Sequence, residues 1–327
     1  MISKRILLSS LLALCCLIGP GPARSDNYPS HSIVIVVPFS AGGPTDTLAR
    51  IIAARMQVLL GQSVIIENVT GAAGTLGVGR VVRAAPDGYT LSVGPMNSHV
   101  LTGAIYNLPF DLLKDLEPVA LLANNPSVVV SRKDAPAKDL KELIAWVKAN
   151  PERVMAGTSG VGAATHLGGI LFETLTGSHI QFIPYRGTSL AMQALVAGQI
   201  DLIFDQMSSS LPHVQEGTIR PYAVMSKTRA QAAPDIPTVD EAGLPGLYLP
   251  VWNGMWVPKN TPKDIIDKLN RAVVESLADP TVRKRLGDIG QEIYPPEQQT
   301  PEALRAYQKA EIEKWWPIVK AAGIKAE

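Results

Sequence analysis

Apolar residues fall into two patterns along the chain. One is a set of short unbroken runs rich in β-branched residues; the other is a set of longer stretches with helical spacing. The first run is Ile33-Val34-Ile35-Val36-Val37, stopped by Pro38, which cannot donate to a sheet ladder. Similar runs at 62–69, 89–93, 154–157, 180–184, 200–204, 220–225 and 252–257 predict further strands. Unbroken apolar strands suit a parallel sheet covered on both faces. Glu117 to Leu122 and Ser127 to Ser131 predict two short strands separated by Asn124-Asn125-Pro126. Between the runs lie amphipathic stretches. Leu140 to Ala149 is one; another opens at Thr261-Pro262-Lys263-Asp264 and carries Ile265, Ile266, Leu269, Val273 and Leu277. A last helix opens at Thr300-Pro301-Glu302, with Leu304, Tyr307 and Trp315 on one stripe as core. Strand alternating with helix predicts a doubly wound α/β architecture.

The loops after the strands carry the candidate chemistry. After the first strand comes Phe39-Ser40-Ala41-Gly42-Gly43-Pro44-Thr45-Asp46. The glycines permit a sharp turn, Pro44 and Thr45 start a helix, and Asp46 suits the positive end of its dipole. Free amides at a strand's carboxyl end make a site for a carboxylate or phosphate, or simply a tight βα turn. Thr158-Ser159-Gly160-Val161-Gly162-Ala163-Ala164-Thr165-His166 repeats the design. There His166 either faces a ligand or caps the loop. Asn97 and Ser98, in Met96-Asn97-Ser98-His99, either bind a ligand or form an Asx-type turn. Arg186, in Tyr185-Arg186-Gly187-Thr188, is either the one loop cation placed to reach an acidic ligand or, as is more common, a solvated surface arginine. Asp205, at another strand end, either binds a ligand amine or caps the next helix.

Residues 1–25 read as a cleaved export signal: Lys4 and Arg5, an apolar core from Ile6 to Ile18, then Ala23-Arg24-Ser25. Both cysteines, Cys15 and Cys16, lie inside it. The mature chain then has no thiol, disulfide or cysteine metal site. Cleavage also removes Lys4, Arg5 and Arg24, so 30 basic and 29 acidic residues become 27 and 29, a formal charge of −2. That balance gives no nucleic-acid or membrane surface. The 302 remaining residues of 327 predict two lobes. With residues 1–25 as the signal, residues 26–124 and 226–327 form lobe one and 125–225 lobe two. A periplasmic, monomeric protein is expected.

Enzyme signatures fail on inspection. Ser159 is not in a nucleophile elbow, because Val161 stands where G-x-S-x-G needs glycine. Gly77-Val78-Gly79 leaves a loop, and Val82 takes the third glycine position of a dinucleotide fingerprint. No H-E-x-x-H or tight His/Asp/Glu grouping suggests a metal, and no cofactor is expected.

Four stretches together resemble one family. They are Val37-Pro38-Phe39-Ser40-Ala41-Gly42-Gly43-Pro44-Thr45-Asp46, Ala85-Pro86-Asp87-Gly88-Tyr89-Thr90, Pro184-Tyr185-Arg186-Gly187-Thr188 with 195–201, and Trp252-Asn253-Gly254 with 258–262. Spread over essentially the whole mature chain, they resemble the tripartite tricarboxylate transporter substrate-binding proteins, or Bug receptors. The resemblance implies a type II periplasmic binding protein fold: two doubly wound α/β lobes, joined by two crossing strands, with a ligand cleft between them. It implies capture of a small organic carboxylate, a carboxylic acid or acidic amino acid, and delivery to the large and small integral membrane subunits of a transporter. It places ligand contacts, mostly backbone amides and ordered water, at Phe39 to Gly43 with Asp46 and at Ser159 to Thr165, with Asp205 near the pocket. Around Met96-Asn97-Ser98-His99 the sequence departs from the small-residue and threonine pattern of relatives. A periplasmic sensor signalling to a membrane kinase is the alternative.

Overall fold

The computed structural model describes residues 28–151, 153–321 and 323–324. The expected export signal lies outside the described residues.

The predicted strands form one ten-stranded sheet with two halves. The first half holds β1 (Ile33–Val37), parallel to β2 (Val64–Asn68) and to β3 (Thr90–Pro95). β3 pairs antiparallel with β9 (Pro250–Pro258). The second half holds β5 (Met155–Thr158), parallel to β6 (Gln181–Pro184) and to β7 (Leu202–Gln206), with β8 (Ile219–Val224) at its far side.

One strand joins the halves. β4 runs unbroken for 17 residues, Leu116–Arg132, where the sequence predicts two short strands. Asn124, Asn125 and Pro126 pair with Trp252, Val251 and Pro250 of β9; from Ser127 onward β4 pairs with β7 and β8. The Asn-Asn-Pro stretch therefore marks a change of partners rather than a break. Pro118 sits beside a register shift against β9, one of the few places a sheet tolerates proline.

Helices cover both faces. α1 (Pro44–Leu60), α2 (Thr75–Val82) and the four-residue α3 (Thr102–Ile105) belong to the first half; α4 (Leu140–Ala149), α5 (Ala164–Thr176), α6 (Thr188–Val196) and α7 (Met207–Gln215) to the second. α8 (Lys263–Ala278), α9 (Pro280–Asp288) and α10 (Pro301–Ala321) return to the first, beside the two-residue strand β10 (Glu292–Ile293), which pairs with β4. On α8, Ile265, Leu269, Val273 and Leu277 are buried at helical spacing as predicted, while Ile266 is half-buried. Leu304 and Trp315 of α10 are buried in one apolar cluster with Val81 of α2, Leu143 of α4 and Phe172 of α5. That cluster spans both halves, so the lobes share a core at the crossing. Residues 226–249 bridge β8 to β9; Ala230, Ala233 and Ile236 pack with Val128 and Val130 of the second half.

Candidate ligand-binding site

Four helices of eight or more residues begin at one crevice between the lobes: α1, α5, α6 and α7. Pro44 and Thr45 open α1, Ala164 opens α5 and Thr188 opens α6; all four line a small chamber with Phe39, Ser40, Gly43, Pro95, Asn97, Ser159 and Gln206. Gln206 is the residue before α7. First-turn amides have no intrahelical partner, so each start presents N–H groups and the positive end of a dipole. None of the lining side chains is ionisable.

The two main loops are built alike. Gly42 has φ +76° and Gly162 has φ +77°, left-handed values that favour glycine. Gly43 and Ala163, next along, donate to the carbonyls of Ser40 and Gly160 at 3.3 and 3.1 Å. In each loop the glycine N–H is taken by the side chain four residues on. Gly42 donates to Asp46 Oδ2 at 2.8 Å, and Gly162 donates to His166 Nδ1 at 3.1 Å. The amides of Gly42 and Gly162, expected to hold a ligand, therefore hold the loops instead, and the free donors are those of the first helical turns.

This explains where the predicted residues fall. Phe39, Ser40, Gly43, Asn97 and Ser159 line the chamber, and Gly160, Val161 and Arg186 line its outer mouth. Asp46 turns away: it is 1% exposed and also accepts from Arg50 Nε at 2.8 Å and Asn68 Nδ2 at 2.9 Å. Burial alone would raise its pKa, but hydrogen bonds from Arg50, Gly42 and Asn68 and the Arg50 charge hold it below the usual range. Ala41 is exposed and its carbonyl accepts from Ser189 Oγ. Ser98 is spent on the Pro95 carbonyl and His99 Nδ1. Thr165 Oγ1 accepts from the Ser159 N–H, and Thr158 Oγ1 from the Gly160 N–H at 3.4 Å. His166 is the loop cap of the two readings, packed edge-on to Phe182, and burial lowers its pKa to about 4.

Asp205 is also elsewhere. It is fully buried, its Oδ2 accepts from Ser210 Oγ at 2.6 Å, and it ties down the start of α7. Strand alternation puts its neighbour Gln206 on the chamber side instead. Burial pushes the Asp205 pKa up to about 6.

Sequence reasoning passed over several residues that line or back the chamber. Gln206 Oε1 accepts from Asn125 Nδ2 at 3.1 Å, leaving its NH2 for the chamber. Thr45 Oγ1 donates to Asn253 Oδ1 at 3.3 Å. Asn253 is fully buried opposite Pro95 and its Nδ2 lacks a protein partner. A lone amide inside the apolar run Val251 to Val257 was the available signal: such a group is buried only with a polar task. Thr188 and Ala164 are legible only as first-turn residues.

The lobes touch across the crevice. Ser40 Oγ lies 2.9 Å from Ser189 Oγ, and Tyr106 OH donates to the Val161 carbonyl at 3.0 Å. Gly187 packs so closely on Ser40 that a Cβ there would lie 2.0 Å from Ser40 Oγ. The chamber is tight, about 10 Å3, space for a single water.

Comparison with known proteins agrees with this architecture. The periplasmic binding protein BugD is 38% identical with a TM-score of 0.88, covering 91% of this chain and 100% of that one. MatC from Rhodopseudomonas palustris, solved with bound malate, is 40% identical with a TM-score of 0.86, covering 89% and 100%. A second R. palustris protein, Rpa4515, solved with adipate, is 32% identical with a TM-score of 0.87, covering 92% and 100%. Residues 48–324 match the family described as Tripartite tricarboxylate transporter family receptor. The chain belongs to that family, whose members are substrate-binding receptors and not enzymes.

Proposed function

We propose that this protein is a periplasmic receptor that captures a small carboxylic acid between its lobes and hands it to the integral membrane subunits of a tripartite tricarboxylate transporter. The observation that carries the reading is the convergence of four helix starts on a chamber lined only by neutral side chains. A carboxylate there accepts from first-turn amides of α1 and α5, from Thr188, and from the amides of Asn97 and Gln206. Hydrogen bonds of this kind to a charged acceptor contribute about 1.5–3 kcal/mol each. Each helix start adds about 0.3–1 kcal/mol of dipole attraction.

Neither Asp46 nor Asp205 lines the chamber, so an ammonium there meets no anionic side chain. Burying it unpaired is costly. The favoured ligands are therefore mono- or dicarboxylic acids without an amino group, consistent with malate in one relative and adipate in another. The acid enters when the lobes separate, and they close on it with a gap wider than the one seen here.

A thermal-shift screen of the mature protein, refolded to strip carried ligand, tests this. An acid at about 100 times its Kd stabilises by roughly 2.7 kcal/mol, and neutral sugars by nothing. No stabilisation by any acid would end the reading.

A further inference from the structure

A second cleft, about 810 Å3, lies outside the crevice and shares no lining residue with the chamber. Its volume falls in the range of about 300–1,000 Å3 usual for small-molecule sites. One wall belongs to lobe one: Arg283 of α9, Gln291 just before β10 and Glu292 within it. The other is the segment that bridges β8 to β9, through Thr228, Arg229 and Ala232. That segment packs on the second half, where Ala230 and Met207 share one apolar cluster. Gln291 is 4% exposed, yet neither its Nε2 nor its Oε1 has a protein partner. A buried amide is costly unless satisfied, so this one calls for an occupant that both accepts and donates. Arg283 is exposed, and its side chain has no hydrogen-bond or ion-pair partner among the described residues. Arg229 donates Nε to Glu241 and Nη1 to the Pro234 carbonyl, which leaves Nη2 for a ligand. Glu292, the one acid of the lining, is held by Asn124 Nδ2 at 3.0 Å.

Two guanidinium groups and an amide NH2 suit a phosphate, which carries close to two charges and three acceptor oxygens. Gln291 Oε1 needs a hydroxyl on the same molecule. We propose that this cleft is an effector site for an organic phosphate bearing hydroxyl groups and, resting on the receptor reading, that its occupancy tightens binding of the acid in the crevice. The two sites stand back to back. Gly290, beside Gln291, packs so closely on Met207 that a Cβ there would lie 2.5 Å from Met207 Cγ. Met207 follows Gln206, which lines the chamber. A phosphate that spans both walls holds the halves in the arrangement seen here, with Ser40 against Ser189 across the crevice. The acid then binds without having to select that arrangement, and by linkage the acid raises phosphate affinity by the same factor.

Calorimetric titration of the mature protein with glycerol 3-phosphate and ribose 5-phosphate, beside inorganic phosphate and glycerol, tests the site in wild type, Arg283→Gln and Gln291→Leu. Both organic phosphates are expected to bind wild type more tightly than inorganic phosphate or glycerol, and each variant to weaken them about ten-fold. Without phosphate, both variants bind the acid that the thermal-shift screen selects as wild type does, since neither residue lines the chamber. With the cleft saturated, the wild-type Kd for that acid falls about five-fold, and the fall is lost in the variants. No binding of either organic phosphate, or binding that both variants leave unchanged, overturns the site; in the second case water alone satisfies Gln291. Inorganic phosphate binding as tightly overturns the part given to the hydroxyl, and an acid Kd unmoved by phosphate overturns the coupling. If the phosphates bind through Arg283 and Gln291 and no acid binds, the receptor reading fails and the site stands. If acids bind and the phosphates do not, only the site fails.

Discussion

The loop that opens α1 and the loop that opens α5 solve one geometrical problem with different chemistry. Both turn on a left-handed glycine, both close a turn onto the carbonyl two or three residues back, and both lend that glycine's N–H to a side chain four residues ahead. Lobe one uses a carboxylate tied to Arg50 and Asn68, and lobe two uses a neutral imidazole. Asp46, His166 and Asp205 thus all bond to their own loops or helix starts, and the proposed carboxylate site is left to backbone and neutral amides.

Breaking each lock separately sharpens that contrast. Asp46→Ala strands the Gly42 N–H, Asn68 and Arg50 together and is expected to cost about 2 kcal/mol in urea unfolding. His166→Ala strands one N–H and loses packing on Phe182, an expected cost of about 1 kcal/mol. Equal costs would mean the charged network adds nothing. Next in size is Gly187→Ala. The new methyl meets Ser40 across the crevice, so ligand Kd rises about ten-fold, and the left-handed φ of Gly187, 151°, adds about 1 kcal/mol of backbone strain that lowers the unfolding midpoint with or without ligand. An unchanged Kd beside that fall in stability would show that the methyl does not oppose closure.

The locks also differ in their response to pH. His166 has a folded pKa lowered to about 4 from 6.5, so the unfolded chain takes up a proton that the folded chain refuses in between. Its contribution is complete above about pH 6.5 and is lost as pH falls toward 4. Buried His99, lowered to about 3 by desolvation against Trp256, acts in the same direction. Asp205, raised to about 6, acts oppositely: as pH falls from 6 toward 4 the folded chain gains the proton first. His166→Asn keeps an acceptor for Gly162 and removes the titration. It should flatten the stability slope between pH 6 and 4 by about one proton, roughly 1.4 kcal/mol per pH unit at most. An unchanged slope would show that His166 is not the neutral cap. The smallest effect is expected from Asp205→Asn, which leaves acid affinity within about two-fold because the group faces Ser210 and not the chamber. A ten-fold change in Kd would put Asp205 in the site.

Much of the fold was written in apolar periodicity. The run Ile33 to Val37, the stripe through Ile265, Leu269, Val273 and Leu277, and the strand–loop–helix order all appear as predicted. The unbroken β4 was hidden because Asn124-Asn125-Pro126 has turn composition, and only its pairing with Trp252, Val251 and Pro250 keeps it extended. The site was legible as loops but not as atoms. Sequence shows that Asp46 and Asp205 stand at helix starts. It does not show which strand face Asp205 takes relative to Gln206, or that Asp46 finds Arg50 and Asn68 nearby. Ala164 carries no side-chain signature, because its only donor toward the chamber is a backbone N–H that every residue except proline shares.

The central claim is that neutral donors at converging helix starts recognise a negative charge. Isothermal titration of the mature protein with a diacid and with its neutral diamide of the same shape tests it most directly. The diacid is expected to bind, and the diamide at least about 100-fold more weakly, since it gains neither the charge-assisted hydrogen bonds nor the dipole attraction. A diamide that binds as tightly as the diacid would contradict it.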